Sequence, residues 1–324
     1  MVQDVYNPLM CVTTLLQFPE KRDEHATGFF YNYNDRTYLI TNRHVIEHEH
    51  EQPTQISIRF RNHSDISSTN REEIPLYDNE FPRWLIHPLY PEADITAIPL
   101  NQRLSYVNEK NSLTGSLALS SDAFANEGLL IRGGTGARAF GYPDGYIDKN
   151  SQFPIARNGM IASPYGHHFD GKPQLLIDGV MGNGMSGSPV FTERTNSFEK
   201  VDGNSHTAAP SSFLIGIHSG EFYDSREARE SDLSLNQVWY SELIEELLVY
   251  NELCEYVDEV PFVSNSDRTE NEISKSELSD LVTNFSTWNF FDPERNQRTS
   301  PVEDLEEKVE AEGLKSLISL VQNE

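Results

Sequence analysis

The feature that most constrains the fold is a series of short apolar segments between about residues 11 and 240. Each segment is bounded by Gly, Pro, Asn or Asp, as in "TYLITN", "QLLIDG" and "SFLIGIH". Short strands with turn residues between them are typical of β-sandwiches and β-barrels. We therefore predict an all-β domain, with polar loops at 101–128 and 192–211. The second of these loops has the composition of an enlarged hairpin tip.

The pattern changes to a helical one after residue 240. In "SELIEELLVY", Leu243, Ile244, Leu247 and Leu248 share one helical face, and Ser241 precedes them as a suitable N-cap. We predict that this helix completes a domain at 1–250.

Residues 251–324 contain 18 acidic and 6 basic side chains, so their net charge is −12. Two amphipathic segments lie within this region. One carries Leu278, Leu281, Val282 and Phe285 on a single face, and the other begins at Ser300 with a capping-box pattern. We predict a small, acidic, helical extension that is partly mobile, for which a protein partner is one interpretation.

Charge and composition exclude several kinds of function. The chain of 324 residues has a formal net charge of −26, and a surface this negative repels the phosphates of nucleic acids. The apolar segments are all far shorter than the roughly 20 residues that span a bilayer, which argues against a membrane partner. The two cysteines, Cys11 and Cys254, offer no metal-binding spacing, and no leader pattern opens the chain. A cytoplasmic location is the resulting prediction.

One short stretch, "MGNGMSGSPVF", places Ser186 between glycines in a tight turn that leads into an apolar strand. A serine hydroxyl attacks a carbonyl only when a base and an orienting acid assist it. His44 follows the apolar run "YLIT" and is the best-placed base, while Asp94 immediately precedes the alternating segment "ITAIPL". These three residues are the predicted catalytic group.

The chain resembles the chymotrypsin-fold serine peptidases, and most closely their bacterial glutamyl-endopeptidase-like branch. Five motifs carry the resemblance, in the right order and at suitable gaps across residues 11–248. They are "TNRHVI" (41–46), "DIT" (94–96), "GYP" (141–143), "GMSGSPVF" (184–191) and "IGIH" (215–218).

The resemblance implies two six-stranded antiparallel barrels, at roughly 11–105 and 125–240, with the active site in the cleft between them. His44 and Asp94 would belong to the first barrel and Ser186 to the second. The backbone N–H groups of Gly184 and Ser186 would form the oxyanion hole. The implied activity is that of a serine endopeptidase that forms an acyl-enzyme with protein or peptide substrates and needs no cofactor or metal.

The resemblance also implies which residues bind the substrate. His218 takes the position of the histidine that reads an acidic P1 side chain in the glutamyl branch, and Ser219, Gly220 and Met181 complete the predicted substrate-binding residues. No aspartate stands at the base of this pocket, so we expect Glu or Gln at P1 rather than Arg or Lys, with a medium apolar side chain as the alternative. Met185 stands where many relatives carry an aspartate that pairs with a newly cleaved N-terminus, so we expect no activation of that kind.

Other interpretations of these motifs are weaker. A metal site built on His44, His48 and His50 lacks the His-Glu-x-x-His spacing, and "RGGTGARAFG" lacks the lysine of a phosphate-binding loop. A structural histidine in a β-strand remains an alternative for His218. At the level of function, the alternative is a catalytically weak or inactive protein of the same fold that binds or assembles with other proteins through 251–324.

Overall fold

A computed structural model gives the structure of the chain. The residues that it describes are 7–19, 21–34, 36–47, 53–62, 65–78, 81–87, 90–100, 118–125, 129–200, 203–222, 234–259, 290–292 and 297–299. Most of the acidic extension, including both of its predicted helices, lies outside the described residues.

The N-terminal half consists of an antiparallel sheet and a small separate hairpin. Its strands are β1 (Thr13–Phe18), β2 (Lys21–Tyr33), β3 (Arg36–Thr41), β4 (Gln55–Arg61), β5 (Thr69–Pro75), β6 (Tyr77–Asp78), β7 (Phe81–Pro82), β8 (Leu85–Ile86) and β9 (Thr96–Pro99). Seven of them form one sheet in the order β5-β4-β1-β2-β3-β9-β8, while β6 pairs with β7. Apolar residues alternate with polar ones along β4 and are consecutive in β3. Both strands are buried along most of their length.

The C-terminal half is a closed barrel with six strands. In chain order the strands of this half are β10 (Gly136–Gly141), β11 (Ile155–Ile161), β12 (Gln174–Asp178), β13 (Pro189–Thr192), β14 (Thr195–Glu199), β15 (Ser205–Ser211), β16 (Leu214–Glu221) and β17 (Leu235–Tyr240). The barrel order is β10-β11-β12-β17-β16-β13, and β14 and β15 form a hairpin outside it. A last short hairpin consists of β18 (Phe290–Asp292) and β19 (Gln297–Thr299).

Two α-helices flank these strands. The short helix α1 (Arg43–Ile46) follows β3 directly, and α2 (Glu242–Glu259) follows β17. Helix α2 begins immediately after Ser241, as predicted, and the Ser241 hydroxyl donates a 3.1 Å hydrogen bond to the Leu214 carbonyl. Neither described helix combines the length and the apolar character that crossing a membrane requires.

One large apolar cluster contains residues of both halves. Leu243, Ile244, Leu247 and Leu248 on α2 pack into it together with residues of the N-terminal sheet and of the barrel. The cluster includes Ala93, Ile95 and Ala97, which lie on both sides of Asp94, and also Phe29, Tyr31, Phe140 and Phe191. Burial of these apolar side chains stabilises the packing of the two halves against each other.

The structure confirms the all-β fold with a C-terminal helix. One barrel is closed, whereas the N-terminal strands form a seven-stranded sheet, and the pairings among the described residues do not close it; a second closed barrel stays a prediction. The polar region at 192–211 is a hairpin as expected, although most of it is strand rather than loop. Helix α2 continues past the predicted domain boundary at residue 250.

Candidate active site

His44 lies on the one-turn helix α1, at the end of the buried strand β3. The next two residues, Val45 and Ile46, are buried in the core of the N-terminal sheet, so the backbone of the helix is held in place. Asn42, which caps the helix, donates from its side-chain amide to the Asp94 carbonyl at 2.6 Å. The His44 ring remains half exposed, with 51% of its side chain accessible to solvent.

Asp94 holds His44 at two points. Its Oδ1 accepts the His44 backbone N–H at 2.9 Å, and its Oδ2 contacts His44 Nδ1 at 2.6 Å. Oδ2 also accepts a hydrogen bond of 2.5 Å from the Ser219 hydroxyl. These contacts account for a charged residue just before strand β9.

The environment of Asp94 favours its ionised form. Burial raises the pKa of this carboxyl, but the hydrogen bonds and the charge of His44, together with the Ser219 hydroxyl, outweigh burial, so the pKa lies below its ordinary value. An ionised carboxylate only accepts hydrogen bonds, and therefore the proton of a neutral His44 ring resides on Nδ1. Nε2 then carries the lone pair that a general base needs.

Ser186 lies in a loop between β12 and β13. We refer to residues 182–188, which contain this predicted nucleophile, as the nucleophile loop. Three glycines in it, Gly182, Gly184 and Gly187, have φ angles of +90°, +81° and +84°. Side chains are strained in this left-handed region, which explains the glycines that the sequence places around the serine. A Cβ on Gly184 would also lie 2.6 Å from the Tyr142 carbonyl oxygen.

The backbone amides of the nucleophile loop divide into bonded and open ones. The Gly187 N–H donates to the His218 carbonyl at 2.9 Å, and the Ser188 N–H donates to the Met185 carbonyl at 3.0 Å. Within the part of the chain that the structure describes, the N–H groups of Gly184 and Ser186 have no hydrogen-bond acceptor. Two such open amides are the donors that an oxyanion hole requires.

Ser219 links the serine to the acid–base pair, by which we mean His44 and Asp94. The Ser186 hydroxyl donates to the Ser219 carbonyl at 2.8 Å, and the Ser219 hydroxyl donates to Asp94. Strand β16 has a register shift against β17 between His218 and Gly220, so Ser219 lies at an irregularity that redirects its side chain. Ser186 and His44 do not hydrogen-bond to each other in this structure, because the serine hydroxyl donates to the Ser219 carbonyl instead.

His218 is buried behind the nucleophile loop. Its Nδ1 lies 3.1 Å from the Met185 carbonyl oxygen, and its Nε2 lies 3.0 Å from Asn236 Oδ1. The Asn236 amide nitrogen donates to the carbonyls of Gly179 and Ser234, which fixes the orientation of that amide. Burial lowers the pKa of His218 and outweighs the hydrogen bonds that would raise it, so the ring favours its neutral form.

The remaining predicted substrate-binding residues differ in exposure. Met181 is 2% exposed and packs in the barrel core, and its carbonyl accepts from Arg157 Nε at 3.2 Å. Gly220 has no heavy atom within 4 Å of a virtual Cβ, so its surface is open. Met185, which stands where many relatives have an aspartate, is fully buried in the same core as Met181.

Among the residues that the structure describes, no group of three or more His, Cys, Asp or Glu side chains is arranged to hold an ion. His48 and His50, which suggested a weak metal motif together with His44, lie outside the described residues.

Sequence analysis missed three parts of the site. It assigned Ser219 only to substrate binding and did not find its contact with Asp94. It did not single out Asn236, nor Thr27, whose hydroxyl donates to the Gly184 carbonyl at 2.8 Å. Thr27 and Asn236 lie in ordinary strand sequence, and only the tertiary fold brings them to the nucleophile loop.

Several solved structures match this chain at low sequence identity. Rv3671c from M. tuberculosis, in the inactive form of a serine-to-alanine mutant, has 14% identity and a TM-score of 0.39, with 80% of this chain and 95% of that chain covered. Human heparin binding protein has 13% identity and a TM-score of 0.42, with 82% and 97% covered. The HtrA-type protease AlgW, bound to a tripeptide, has 16% identity and a TM-score of 0.42, with 76% and 62% covered. No curated protein matches the chain.

The sequence itself also matches a family model, described as a trypsin-like peptidase domain, over residues 26–198. This stretch is more than half of the chain and contains His44, Asp94 and Ser186. The match does not single out the glutamyl-endopeptidase branch, which stays a prediction. By this match over most of both halves, the chain belongs to the trypsin-like peptidase family.

Proposed function

We propose that this protein is a serine endopeptidase in which Ser186 is the nucleophile, His44 the general base and acid, and Asp94 the residue that orients His44. One observation carries the proposal: the Ser219 carbonyl accepts a hydrogen bond from the Ser186 hydroxyl, and the Ser219 hydroxyl donates to Asp94, which in turn contacts His44. Membership of the trypsin-like peptidase family supports protein or peptide substrates.

The proposed reaction is acyl transfer. The Ser186 hydroxyl rotates from the Ser219 carbonyl toward His44 Nε2, and its oxygen attacks the carbonyl carbon of the scissile peptide while Nε2 takes the proton. The tetrahedral adduct then collapses, the C–N bond breaks, and His44 gives the proton to the leaving amine. Water attacks the acyl-enzyme in the same way and releases the new carboxylate together with Ser186. Asp94 remains ionised throughout, stabilises the imidazolium and keeps the proton on Nδ1.

The amides of Gly184 and Ser186 are the proposed oxyanion donors. Both belong to the nucleophile loop, whose backbone conformation depends on glycines with positive φ. Because these donors are already oriented, they stabilise the developing negative charge without reorganisation at the moment of reaction.

For P1, Glu or Gln is the proposed preference, with Met181, His218, Ser219 and Gly220 around the side chain. A P1 side chain reaches His218 Nε2 only if it replaces the contact with Asn236 Oδ1. The test is a set of peptides that differ only at P1, with wild type and His218→Leu compared. We expect about a tenfold loss of kcat/KM for Gln and Glu but not for Leu. A uniform loss, or cleavage after Arg and Lys only, would refute this assignment.

A second candidate function is that of a binding or assembly protein with weak hydrolysis or none. The observation that favours it is the Ser186 hydroxyl, which donates to Ser219 rather than to His44. In that case the acidic residues 251–324 would be the region that contacts a partner protein. The cytoplasmic location predicted from the sequence stays a prediction under both functions.

Hydrolysis of a fluorogenic peptide library by wild type, Ser186→Ala and Ser188→Ala separates the two functions. Ser188 is a matched control because it is buried in the same loop and its hydroxyl has only Met185 Sδ as a partner, at 3.8 Å. We expect turnover by wild type and Ser188→Ala and a loss of about 10⁶-fold for Ser186→Ala. Equal activity of all three proteins, or no turnover by folded wild type, would contradict the endopeptidase proposal.

A further inference from the structure

Thr27, on strand β2 of the N-terminal sheet, makes a set of contacts with the nucleophile loop of the other half. Its hydroxyl donates to the Gly184 carbonyl at 2.8 Å and accepts the Tyr142 N–H at 3.1 Å. Its backbone N–H donates to the Ser186 carbonyl at 2.9 Å. Thr27 is completely buried, so these bonds do not compete with water.

The two carbonyls that Thr27 binds belong to the two residues whose N–H groups are the oxyanion donors. Gly184 and Ser186 each present an N–H on one side and have their C=O fixed by Thr27 on the other. Each N–H belongs to the peptide before its residue, and other contacts hold those peptides: the Asn183 carbonyl accepts the Asp144 N–H at 2.6 Å, and the Met185 carbonyl accepts the Ser188 N–H at 3.0 Å. Thr27 holds the peptides that follow Gly184 and Ser186, so the peptides on both sides of each residue are restrained. Glycine at 184 increases the need for such a restraint, because it has no side chain to limit its own conformation.

Close packing holds Thr27 against the loop as well. A Cβ on Gly187 would lie 2.0 Å from the Thr27 carbonyl oxygen, so the two backbones touch directly. The same carbonyl accepts a 2.8 Å hydrogen bond from the Thr41 hydroxyl, on the strand that leads to His44. Thr27 is thereby tied both to the nucleophile loop and to the strand that positions the acid–base pair.

We infer that Thr27 is a positioning residue for the oxyanion hole, and that its hydroxyl, by holding the peptide after Gly184, completes the restraint on the Gly184 backbone. This inference rests on the proposed peptidase function. Thr27 does not touch the substrate, so its removal affects transition-state stabilisation and leaves substrate binding nearly unchanged.

The test compares Thr27→Val, which keeps the shape but loses the hydroxyl, with Thr27→Ser, which keeps the hydroxyl. Loss of one direct oxyanion donor lowers kcat by about 10²–10³. Loss of a support for that donor is expected to lower kcat by roughly 10- to 100-fold, with KM changed less than about twofold. Thr27→Ser is expected to stay within about threefold of wild type. The affinity for a peptidyl trifluoromethyl ketone, which forms a tetrahedral adduct, should fall in parallel with kcat/KM.

Thr14→Val is the matched control. The Thr14 hydroxyl is also buried, and it likewise donates to one carbonyl and accepts one N–H, both of Arg59, at 3.1 and 2.9 Å. It has no contact with the nucleophile loop, so Thr14→Val should lose thermal stability to a similar degree while kcat stays unchanged. If both valine variants lower kcat equally, Thr27 has only a structural role and the inference is wrong.

The two levels of the proposal fail in different ways. No turnover by wild type refutes the peptidase function, whereas an active wild type with an unimpaired Thr27→Val refutes the inference alone. If Thr27→Val shows no cooperative thermal transition, Thr27→Ala and Thr27→Ser are compared on the same criterion. Equal kcat for these two would overturn the inference.

Discussion

The two halves of the molecule differ in how many of the hydrogen bonds expected for the proposed reaction are already formed. In the N-terminal half the acid–base pair is fully assembled, with Asp94 bound to both the backbone and the ring of His44. In the C-terminal barrel the nucleophile loop has its backbone in place, but the Ser186 hydroxyl is bonded to Ser219 and not to His44.

This difference has a physical reason. The acid–base contacts involve a charged group, which forms short, strong hydrogen bonds and is costly to leave unpaired when buried. The serine hydroxyl is neutral, it rotates about one bond, and the substrate can supply whatever the free enzyme lacks. Under the proposed function, the N-terminal half orients the base, and the Ser186 hydroxyl exchanges its bond with Ser219 for one with His44.

The largest expected effect is on the N-terminal half. Asp94→Asn would place an amide donor or a neutral oxygen opposite His44 Nδ1 and favour the wrong tautomer. We expect kcat to fall by about 10⁴ at neutral pH, with the fold unchanged. Steady-state hydrolysis and thermal unfolding measure the two properties separately. A variant that keeps more than a tenth of the activity would contradict this prediction, because it would show that His44 functions without Asp94.

The next effect concerns the C-terminal half. Gly184→Ala forces a side chain into a φ of +81° and into contact with the Tyr142 carbonyl, so the loop must shift and turn its amide. We expect kcat to fall by about 10²–10³.

Gly203→Ala is the control for Gly184→Ala, because Gly203 has a φ of +82° and open space around it. Both variants lose some stability from backbone strain, but only Gly184→Ala should lose catalytic rate. Equal rate constants for the two variants would show that the nucleophile loop tolerates displacement.

Ser219→Ala tests the connection between the halves. It removes the hydroxyl that Asp94 accepts but keeps the carbonyl that Ser186 uses, and we expect kcat/KM to fall roughly tenfold, in proportion to one hydrogen bond to a charged group. Ser163→Ala removes another buried serine hydroxyl, which accepts the Leu176 N–H, and should leave kcat/KM unchanged. If both variants lose the same rate, the Ser219 hydroxyl has no specific role in catalysis.

The same variant has a predicted pH dependence of stability. The pKa of Asp94 is depressed in the folded protein, so its ionisation stabilises the fold above the ordinary pKa of about 3.9, and this contribution is lost as the pH falls through the folded value. Removal of the Ser219 hydroxyl raises the folded pKa toward the ordinary one. Thermal unfolding between pH 2 and 7 should show the variant less stable than wild type at pH 7, with the difference narrowing only below the ordinary pKa of the carboxyl. A difference that already narrows above the ordinary pKa would contradict the lowered pKa of Asp94.

Local sequence signals predicted one part of this architecture well. The glycines around Ser186 have the positive φ angles that a tight turn implies. The start of α2 directly after Ser241 was predictable because the helical periodicity and the preceding serine are local features. His44 follows one recognisable strand and Asp94 precedes another, and the structure brings the two side chains into contact, while their catalytic roles stay predictions.

Contacts that arise only in three dimensions were not predictable. Thr27 lies in "HATGF" and Asn236 in "LNQVW", and neither segment carries a motif. Their partners are distant in the chain, and the pairing registers of β2 and β17 decide which side chains face the nucleophile loop. The irregularity at Ser219 is of the same kind, since it depends on how β16 pairs with β17. The strand order of the N-terminal sheet was not predictable either, because the segments that pair differ little in composition.

The central claim is that groups from both halves act together on one serine. The most direct measurement is the rate of labelling by a fluorophosphonate probe, with the modified residue located by peptide mass spectrometry, for wild type and His44→Ala. We predict an adduct on Ser186 in wild type and labelling that is slower by at least about 10³-fold in His44→Ala. Labelling of Ser186 at the same rate in both proteins, or an adduct on another residue in wild type, would contradict the account.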